Sequence, residues 1–424
     1  MTAPDQPLAP RGLARRLVER FALVTFGLYH LPLFLNNYPS IGGGGVMSDG
    51  LAVTWGHVFT RPGIWLARIL FHMTGPMTEA LAGDNGDVGE EWARLILGVA
   101  IGTIVAIVWT VADRRLPGAA WVEGGLRVML RYSIALGLVS YAVSKIVPQQ
   151  FPPLRPVSYE TRVGELTPMG LLWGFMRYSR PYSLFGGLME ALAIVLLCFR
   201  RTATLGALIT VVVMTNVSLI NLAYDVPVKL YASMIVLSAA VLVLYDARRL
   251  VAVFVTNRGV GPGEQPTLFD GRMPTWVRWT IKILLVGSVT ASSLAAFQSG
   301  NLAPAPAEVA DAEGAWGVTS FGLDPPETTT NPKWRRLIVD RQSIAIRLDD
   351  DAMMRCRRTS GGDETTLQFT CGQGRKGNLH WTQTGTQLHL EGTYDGARIT
   401  VAARRLDERD YPLMGGGFHL IQDR

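Results

Sequence analysis

The stretch that decides the fold runs from Tyr182 to Asp246. It begins with the apolar run YSLFGGLMEALAIVLLCF, turns at Arg200-Arg201-Thr202, and contains two more apolar runs, Thr202 to Leu222 and Val226 to Tyr245. The carboxylate of Glu190 lies inside the first run. A charged group at the centre of a bilayer costs about 3 kcal/mol or more, so such a residue has a partner or stays protonated. The stretch therefore predicts consecutive membrane-spanning helices that carry a paired or functional carboxylate.

A partner for Glu190 ends the preceding apolar run, where Tyr141 to Lys145 closes with a lysine. Counted from the external helix end at Tyr182, Glu190 lies about 12 Å deep at about 1.5 Å of helical rise per residue. Other polar side chains of the predicted spans converge on the same outer level. The candidates for this polar pocket are Glu190, Lys145, Tyr141, Asn216, Asn221, Asp225, Lys229 and His30.

Two interpretations of these residues stay open. In the functional one, Lys145 and Glu190 form an ion pair or a proton-handling couple in a pocket that opens outward. In the structural one, the same side chains make interhelical hydrogen bonds, each worth about 1 kcal/mol, that hold the helices together. Asp225 stands two residues before Pro227, where an N-cap is expected, and capping alone explains it. The Gly186-Gly187 pair indicates close contact between helices.

Composition places the chain among membrane proteins. Only 17% of the residues are charged, 48% are apolar, and the mean hydropathy is positive. The formal net charge is +6, but the arginines lie in short clusters at the ends of apolar runs, as the positive-inside rule expects. This distribution favours the lipid bilayer over nucleic acid as the partner. The cysteines Cys198, Cys356 and Cys371 form neither a C-x-x-C motif nor a zinc-binding spacing.

Seven apolar runs are interpreted as membrane spans, which must cross about 30 Å of hydrocarbon. They are approximately Phe21 to Leu35, Arg94 to Val111, Arg127 to Val147, Tyr182 to Phe199, Thr202 to Leu222, Val226 to Tyr245 and Trp276 to Phe297. The arginines before the first run place the N-terminus in the cytoplasm, and alternation then puts the later arginine clusters on the same side. We therefore expect a multi-pass protein of a bacterial-type inner (plasma) membrane, with a periplasmic or otherwise extracytoplasmic C-terminal domain.

The predicted domain organisation follows from these runs. It consists of a cytoplasmic tail (1–16), the first two spans with a long external loop (17–126), a four-helix core (127–250), a cytoplasmic linker (251–275), the last span (276–298), a linker (299–312) and an external β domain (313–424). Within the core, the proline-rich segment Pro148 to Pro181 is predicted to run extended and then to form a short helix, Met169 to Tyr178, that Thr167 caps. We expect this helix to pack on the bundle.

After Ala312 the pattern changes to short alternating runs, which predict β-strands. Strands are predicted at 334–339, 343–348, 366–371, 378–382, 387–390 and 398–402. Together they predict a small antiparallel β domain, either a sandwich or a partly closed barrel.

The residues of this β domain suggest one covalent link and no metal site. Cys356 and Cys371 flank the Gly361-Gly362 turn, so neighbouring strands could carry them. In an oxidising compartment a disulfide closing such a loop stabilises by about 3 kcal/mol, and a free catalytic pair is the alternative. His380, His389 and His419 are interpreted as surface residues rather than ligands, and no metal is predicted.

Five segments of the core together form one recognisable sequence pattern. They are Tyr141 to Lys145, Gln150 to Pro152, Pro168 to Met176, Phe185 to Glu190 and Arg200 to Gly206. Together they resemble the DoxX family of small four-helix membrane proteins, over about Arg127 to Leu250. The resemblance implies an antiparallel four-helix membrane bundle. Some members of that family are linked to sulfur or thiol oxidation coupled to quinone, so the resemblance suggests quinone as one candidate cofactor, while the residues themselves leave the cofactor unknown. The additional spans and the β domain distinguish this chain from the small members.

Three functions from different classes fit these observations. The first is a redox-linked membrane subunit that passes electrons or thiols to quinone; it needs a bound cofactor or partner, because the sequence has no haem-ligand pair and no iron–sulfur cysteines. The second is a carrier or binder of a small lipophilic or anionic molecule in the outward pocket. The third is an envelope scaffold whose β domain docks another membrane or periplasmic protein. The residues do not decide whether the protein is an enzyme.

Overall fold

The structure is a computed structural model that describes residues 12–36, 59, 61–73, 87–113, 120–261, 274–301, 312–324, 333–340, 343–359 and 365–415. It divides the chain into two compact units. The helical unit consists of Met1–Phe151 and Ser179–Phe297, and the barrel unit of Pro152–Tyr178 and Gln298–Arg424. The predicted combination of apolar helices with a C-terminal antiparallel β domain is confirmed.

The helices of both units follow one another along the chain. In chain order they are α1 (Leu13–Asn36), α2 (Arg61–Phe71), α3 (Gly89–Ala112), α4 (Ala120–Ile146), α5 (Pro156–Glu160), α6 (Pro168–Tyr178), α7 (Arg180–Cys198), α8 (Ala203–Ala223), α9 (Lys229–Tyr245), α10 (Ala247–Phe254), α11 (Thr275–Asn301) and α12 (Pro412–Gly415). Helices α5 and α6 belong to the barrel unit, together with a 3-10 turn at Val163–Glu165.

Four helices among the described residues are long and apolar enough to cross a membrane. They are α3, most of α4 (Trp121–Ile146), α7 and α8. Helices α9 and α10 meet at a bend of 73°, and together they would make a fifth span. The predicted first and last spans also form long helices, α1 and α11. These features fit a membrane protein, and the full set of seven spans stays a prediction.

Four of these helices form a bundle. Helix α4 packs on α7, α7 on α8, α8 on α9, and α9 returns to α4. Small residues allow close approach: a Cβ added at Gly206 of α8 would lie 2.8 Å from the backbone nitrogen of Leu197 in α7. Small residues at such contacts are typical of membrane bundles, in which helices associate through packing rather than through the hydrophobic effect.

Paired charges join the first turns of α1 and α4. The Glu123 carboxylate lies 3.0 Å from Nη2 of Arg15 and 2.6 Å from Nη2 of Arg127. Arg15 also contacts Glu19 at 2.8 Å, and Glu19 and Glu123 are both buried. A buried carboxylate is tolerated only when opposite charges and hydrogen bonds replace the water it has lost. This charge cluster therefore fixes the end of α1 against α4.

The barrel unit contains a closed antiparallel barrel of eight strands. They are β1 (Gly314–Asp324), β2 (Trp334–Val339), β3 (Ser343–Leu348), β4 (Met353–Arg358), β5 (Thr366–Cys371), β6 (Lys376–Thr384), β7 (Gln387–Tyr394) and β8 (Ala397–Arg405). Each strand pairs with the next along the chain, and β8 closes the barrel on β1. Side chains fill the interior, with Trp316, Trp334, Phe369 and Tyr394 among them. Such filling is usual for eight strands, because the interior is only wide enough for side chains.

Two strands were not predicted, and they are what closes the barrel. Strand β1 carries Gly314, Gly317 and Gly322, and glycine is depleted in strands. Strand β4 reads MMRCRR, in which charged residues obscure the alternation. It places Cys356 directly opposite Cys371 of β5, and the two sulfur atoms form a disulfide.

The segment Pro152–Tyr178 packs on the outside of the barrel. Val157 of α5 lies against a small apolar patch formed by Ala315, Ile338 and Ala345. Thr167 accepts a hydrogen bond from the Gly170 backbone at 3.0 Å and begins α6 as expected. The predicted four-helix core (127–250) included this segment. It belongs to the barrel unit instead, because its apolar and charged side chains complement the barrel surface.

We expect Glu123→Gln to lower the free energy of unfolding by about 3 kcal/mol, since it leaves Arg15 and Arg127 without their shared carboxylate. The thermal midpoint of the detergent-purified protein, followed by size-exclusion chromatography, measures this. Asp225→Asn is the matched control, because the Asp225 side chain is 83% exposed. Equal midpoints for both variants would contradict a stabilising role of the charge cluster.

We expect the double substitution of Cys356 and Cys371 by alanine to lower barrel stability by about 3 kcal/mol, as the chain-entropy cost of reopening a loop of this size predicts. The two cysteines are 15 residues apart in sequence. Thermal unfolding with and without dithiothreitol tests it. Reductant should lower the midpoint of the unchanged protein and of Cys198→Ser but not that of the double variant. If dithiothreitol still lowers the thermal midpoint of the double variant, the assignment of the stabilising disulfide to Cys356 and Cys371 is contradicted.

Candidate functional site

The buried ion pair between Lys145 and Glu190 is the centre of the candidate site. Lys145 lies in the last turn of α4, and Glu190 lies in the middle of α7. The Lys145 Nζ is 2.5 Å from Glu190 Oε1, and the two residues are 7% and 2% exposed. The structure thus brings together the two residues that the sequence singled out as partners. Because protein encloses the pair, an outward opening of the pocket stays a prediction.

Two residues of α7 position the pair. A Cβ added at Gly187 would lie 2.9 Å from the Lys145 Cβ and 3.0 Å from the Ala142 carbonyl oxygen, so only glycine allows α7 this close to α4. The Arg180 guanidinium donates hydrogen bonds to the carbonyl oxygens of Lys145, at 2.6 Å, and of Ile146. Carbonyl groups at a helix end lack intrahelical partners. Arg180 therefore completes the end of α4 and keeps it beside α7.

Tyr141 lies one helical turn before Lys145 and belongs to the same site. The Lys145 Nζ is 5.6 Å from the centroid of the Tyr141 ring, and that ring stacks on Tyr231 of α9 at 6.0 Å. Among the described residues, Tyr141 Oη and Glu190 Oε2 are buried without a hydrogen-bond partner. Buried polar atoms are nearly always hydrogen-bonded. The site therefore has one unused donor and one unused acceptor next to a charged pair.

His30 forms a separate buried contact between α1 and α9. Its Nε2 is 3.0 Å from Ser238 Oγ, and Ser238 donates its own hydrogen to the Met234 carbonyl oxygen at 2.7 Å. Since the serine hydroxyl has a single hydrogen, His30 Nε2 must be the donor to Ser238. In the neutral ring this assignment makes Nδ1 the acceptor, and Nδ1 has no partner among the described residues.

The structure separates the two asparagines from the pair. Asn221 is buried, and its Nδ2 donates to the Val228 carbonyl oxygen at 3.4 Å. Asn216 lies on the exposed face of α8. The prediction that Asn216 faces the pocket is therefore wrong, because the helical rotation of α8 turns Met214 and Ser218 inward instead.

Asp225 and Lys229 form a different cluster with Asp87, at the start of α9. The two oxygens of the Asp87 carboxylate accept hydrogen bonds from the backbone nitrogens of Lys229 and Leu230, both at 2.9 Å. Asp225 contacts the Lys229 ammonium at 2.8 Å. The expected N-cap role of Asp225 is wrong, because α9 begins at Lys229 and not directly after Asp225. Asp87, from the acidic loop before α3, does the capping.

Sequence reasoning missed one buried cation of the bundle. Arg131 lies inside α4, is 5% exposed, and donates from Nε to the Leu197 carbonyl oxygen at the end of α7, at 2.8 Å. An arginine in the interior of a predicted membrane span is rare, and this rarity was the sequence feature that could have identified Arg131. Arg180 of α7 binds carbonyl oxygens at the end of α4, and Arg131 of α4 binds a carbonyl oxygen at the end of α7. The two arginines therefore join α4 and α7 at both ends of their contact.

The histidines of the β domain and the free cysteine are the remaining residues considered from the sequence. His380 and His389 are exposed on β6 and β7, and His419 lies outside the described residues. Among the described residues, no group of three or more His, Cys, Asp or Glu side chains could hold a metal ion. Cys198 is a free, half-buried thiol at the end of α7.

Comparisons with known proteins give one informative match. No family model and no solved structure matches the chain. The chain is 32% identical over 133 residues to "Uncharacterized protein YwoB" of Bacillus subtilis (strain 168), an alignment that covers 31% of this chain and 84% of that protein. At this identity and coverage, the chain belongs to the same protein family as YwoB.

Proposed function

We propose that this chain is a DoxX-like integral membrane protein whose helical unit acts as a redox-linked subunit, handling protons beside a quinone or thiol. One observation carries the proposal: the buried Lys145–Glu190 pair has two unpartnered oxygens beside it, Glu190 Oε2 and Tyr141 Oη. Ionisable residues inside membrane bundles mark ligand or proton sites by default. A purely structural pair would be expected to have its remaining hydrogen-bonding groups satisfied.

The residues of this site fit a quinone headgroup. When bound, a quinone supplies electron transfer coupled to the uptake or release of protons. The Tyr141 hydroxyl can donate a hydrogen bond to a carbonyl oxygen, and Glu190 Oε2 can accept one from a hydroxyl. Lys145 contacts Glu190 Oε1, which leaves Oε2 as the oxygen that can exchange a proton with a ligand.

The wider architecture supports the same proposal. Helices α4, α7, α8 and α9 form a closed four-helix bundle, as the DoxX resemblance implies. We place the seven predicted spans in the inner membrane, with the barrel unit in the periplasm. The Cys356–Cys371 disulfide supports that side, since disulfides persist in oxidising compartments.

A second candidate function belongs to the barrel unit. Its interior is filled by side chains such as Trp316, Trp334 and Phe369, so ligand binding inside the barrel is disfavoured and the outer surface is left for function. This observation favours the scaffold hypothesis, in which the barrel docks another envelope protein. The carrier hypothesis uses the Lys145–Glu190 pair for a small lipophilic or anionic molecule that is not reduced or oxidised.

One experiment separates these functions. The full-length protein is purified in mild detergent, and the retained small molecules are identified by absorbance and mass spectrometry. A retained quinone supports the redox function, another retained small molecule supports the carrier function, and a co-purifying protein without a small molecule supports the scaffold.

We expect Glu190→Gln to lower the amount of retained ligand about tenfold, because it removes a charge-assisted contact worth more than about 1.4 kcal/mol. The double variant Glu190→Gln with Lys145→Met should lose the ligand equally, yet it buries no unpaired charge and so keeps the bundle folded. Asp225→Asn is the matched carboxylate control and should retain the ligand. Unchanged retention in the double variant, with an unchanged thermal midpoint, would assign the pair to structure alone.

A further inference from the structure

The barrel unit has a pocket on its outer surface, separate from the filled interior. Its volume is about 450 Å³, and α5 with the following turn, strands β2 and β3, and the segment after β8 form its walls. Four arginines and two tyrosines dominate these walls. They are Arg162, Arg335, Arg336, Arg347, Tyr159 and Tyr411. The volume lies within the range of about 300–1,000 Å³ that small-molecule sites occupy.

A β-bulge places two consecutive arginines in this pocket. Trp334 and Leu337 both point into the barrel core, although two residues rather than one separate them. The pairing of β2 with β3 shifts register between Trp334 and Arg336, so Arg335 and Arg336 both lie on the outer face. In a regular strand one of them would point inward. Bulges that re-aim side chains are frequent next to functional sites.

The inner arginines of the pocket are balanced by one buried acid, Glu160, and one exposed acid, Glu165. Arg336 of β2 pairs directly opposite Arg347 of β3, an arrangement in which like charges repel. The Glu160 carboxylate accepts hydrogen bonds from Arg336 and from the Tyr411 hydroxyl, and its second oxygen lies 3.9 Å from Arg347 Nε. Arg347 also donates to Glu165 at 3.0 Å, and this contact lowers the pKa of Glu165. These contacts clamp Pro152–Tyr178 to the barrel.

The outer part of the pocket carries excess positive charge. Arg162 and Arg335 both direct Nη2 at one carboxylate, that of Asp351, and Arg162 does so at 2.5 Å. Their side chains are 53% and 46% exposed. The hydrogen bond from Arg162 and the charges of the nearby arginines lower the pKa of Asp351. A guanidinium has five N–H donors, so each of these arginines can bind a second anion while it contacts Asp351.

Charge counting over the whole pocket gives the same result. Three carboxylates, Glu160, Glu165 and Asp351, contact the four arginines of the wall. Asp410 also lines the pocket, and Arg355 donates to the Thr161 hydroxyl of the wall at 3.3 Å. Among the residues that line the pocket, four arginines thus stand against two carboxylates, Glu160 and Asp410, and Arg162 and Arg335 are the arginines whose exposure leaves them open to a ligand.

The tyrosines form an aromatic wall beside these charges, with their rings tilted by 53°. The rings of Tyr159 and Tyr411 pack with centroids 4.6 Å apart. Tyr159 donates to Glu408 at 2.9 Å, and Tyr411 donates to Glu160. Burial and the neighbouring carboxylates raise the pKa of both hydroxyls, which stay neutral. With their hydroxyls engaged, the rings offer an uncharged surface to the organic part of a ligand.

We propose that this pocket binds a small phosphate-bearing molecule, with the phosphate on Arg162 and Arg335 and the organic part against the tyrosine wall. Arginine forks match phosphate and offer several parallel donors to its oxygens. A phosphate alone is much smaller than the pocket, so the remaining volume is available to the group that carries it. The phosphate belongs either to a soluble molecule or to a lipid headgroup, which share this chemistry.

The test uses the full-length protein in detergent and isothermal titration with sn-glycerol 3-phosphate and inorganic phosphate, at constant ionic strength. We expect saturable binding of glycerol 3-phosphate, weaker binding of inorganic phosphate, and none of glycerol. Arg162→Gln combined with Arg335→Gln should weaken glycerol 3-phosphate binding about tenfold or more, the effect of losing charge-assisted hydrogen bonds. Arg398→Gln is the matched control, because Arg398 is exposed on β8 outside this pocket.

A further measurement identifies the source of the phosphate, and a further variant tests the pocket if the double variant misfolds. Nanodiscs of phosphatidylcholine are compared with nanodiscs that also contain phosphatidylglycerol. Weaker glycerol 3-phosphate binding in the second type indicates an occupying lipid headgroup, and equal binding indicates a soluble ligand; both support the pocket. If the double variant misfolds, Arg335→Lys keeps the charge but loses the fork and should still weaken binding. Absence of saturable binding, or equal binding by the unchanged protein and the arginine variants, would overturn the proposal.

Discussion

A charge removed from water needs an opposite charge or a set of hydrogen bonds, and this constraint organises both units of the protein. In the helical unit, the pair Lys145–Glu190 holds one end of α4 against α7, while Glu123 holds the other end of α4 against the start of α1. Carbonyl oxygens at the ends of α4 and α7 receive Arg180 and Arg131. In the barrel unit, Glu160 makes the opposed arginines of β2 and β3 tolerable. Removing one member of such a set leaves its partner buried and uncompensated, which costs more than the contact itself contributes.

The same constraint explains why the chain is divided as it is. The excursion between α4 and α7 is continuous in sequence with the bundle, yet Pro152–Tyr178 forms one unit with the barrel. Its Glu160 and Glu165 meet arginines of β2 and β3, and Val157 covers the apolar patch of Ile338 and Ala345. The chain therefore passes between the helical unit and the barrel unit at three points, at the two ends of this segment and near the end of α11.

The two units offer different chemistry, which bears on how the family of YwoB is to be understood. The helical unit contains a buried acid–base pair, Lys145–Glu190, and among the described residues Glu190 Oε2 and the neighbouring Tyr141 Oη have no hydrogen-bond partner. The barrel unit contains an arginine-rich pocket outside a filled interior. The alignment with YwoB spans 133 residues, so it leaves most of this chain unmatched. A proposed function of the whole protein must therefore also account for the residues outside the region aligned with YwoB.

The sequence by itself determined the features that depend on local pattern. Apolar runs predicted the helices, alternation predicted six of the eight strands, and the rarity of charge in such runs singled out Glu190 with Lys145 as its partner. The tertiary structure decided the features that depend on contacts between residues distant in the sequence. Asp87 rather than Asp225 caps α9, and Asn216 is turned outward, because helix starts and rotations are set by packing. The bulge in β2 turns Arg335 and Arg336 to the same face of the sheet. Because sequence-based assignment of strand faces assumes regular alternation, the outward direction of both arginines is visible only in the folded barrel.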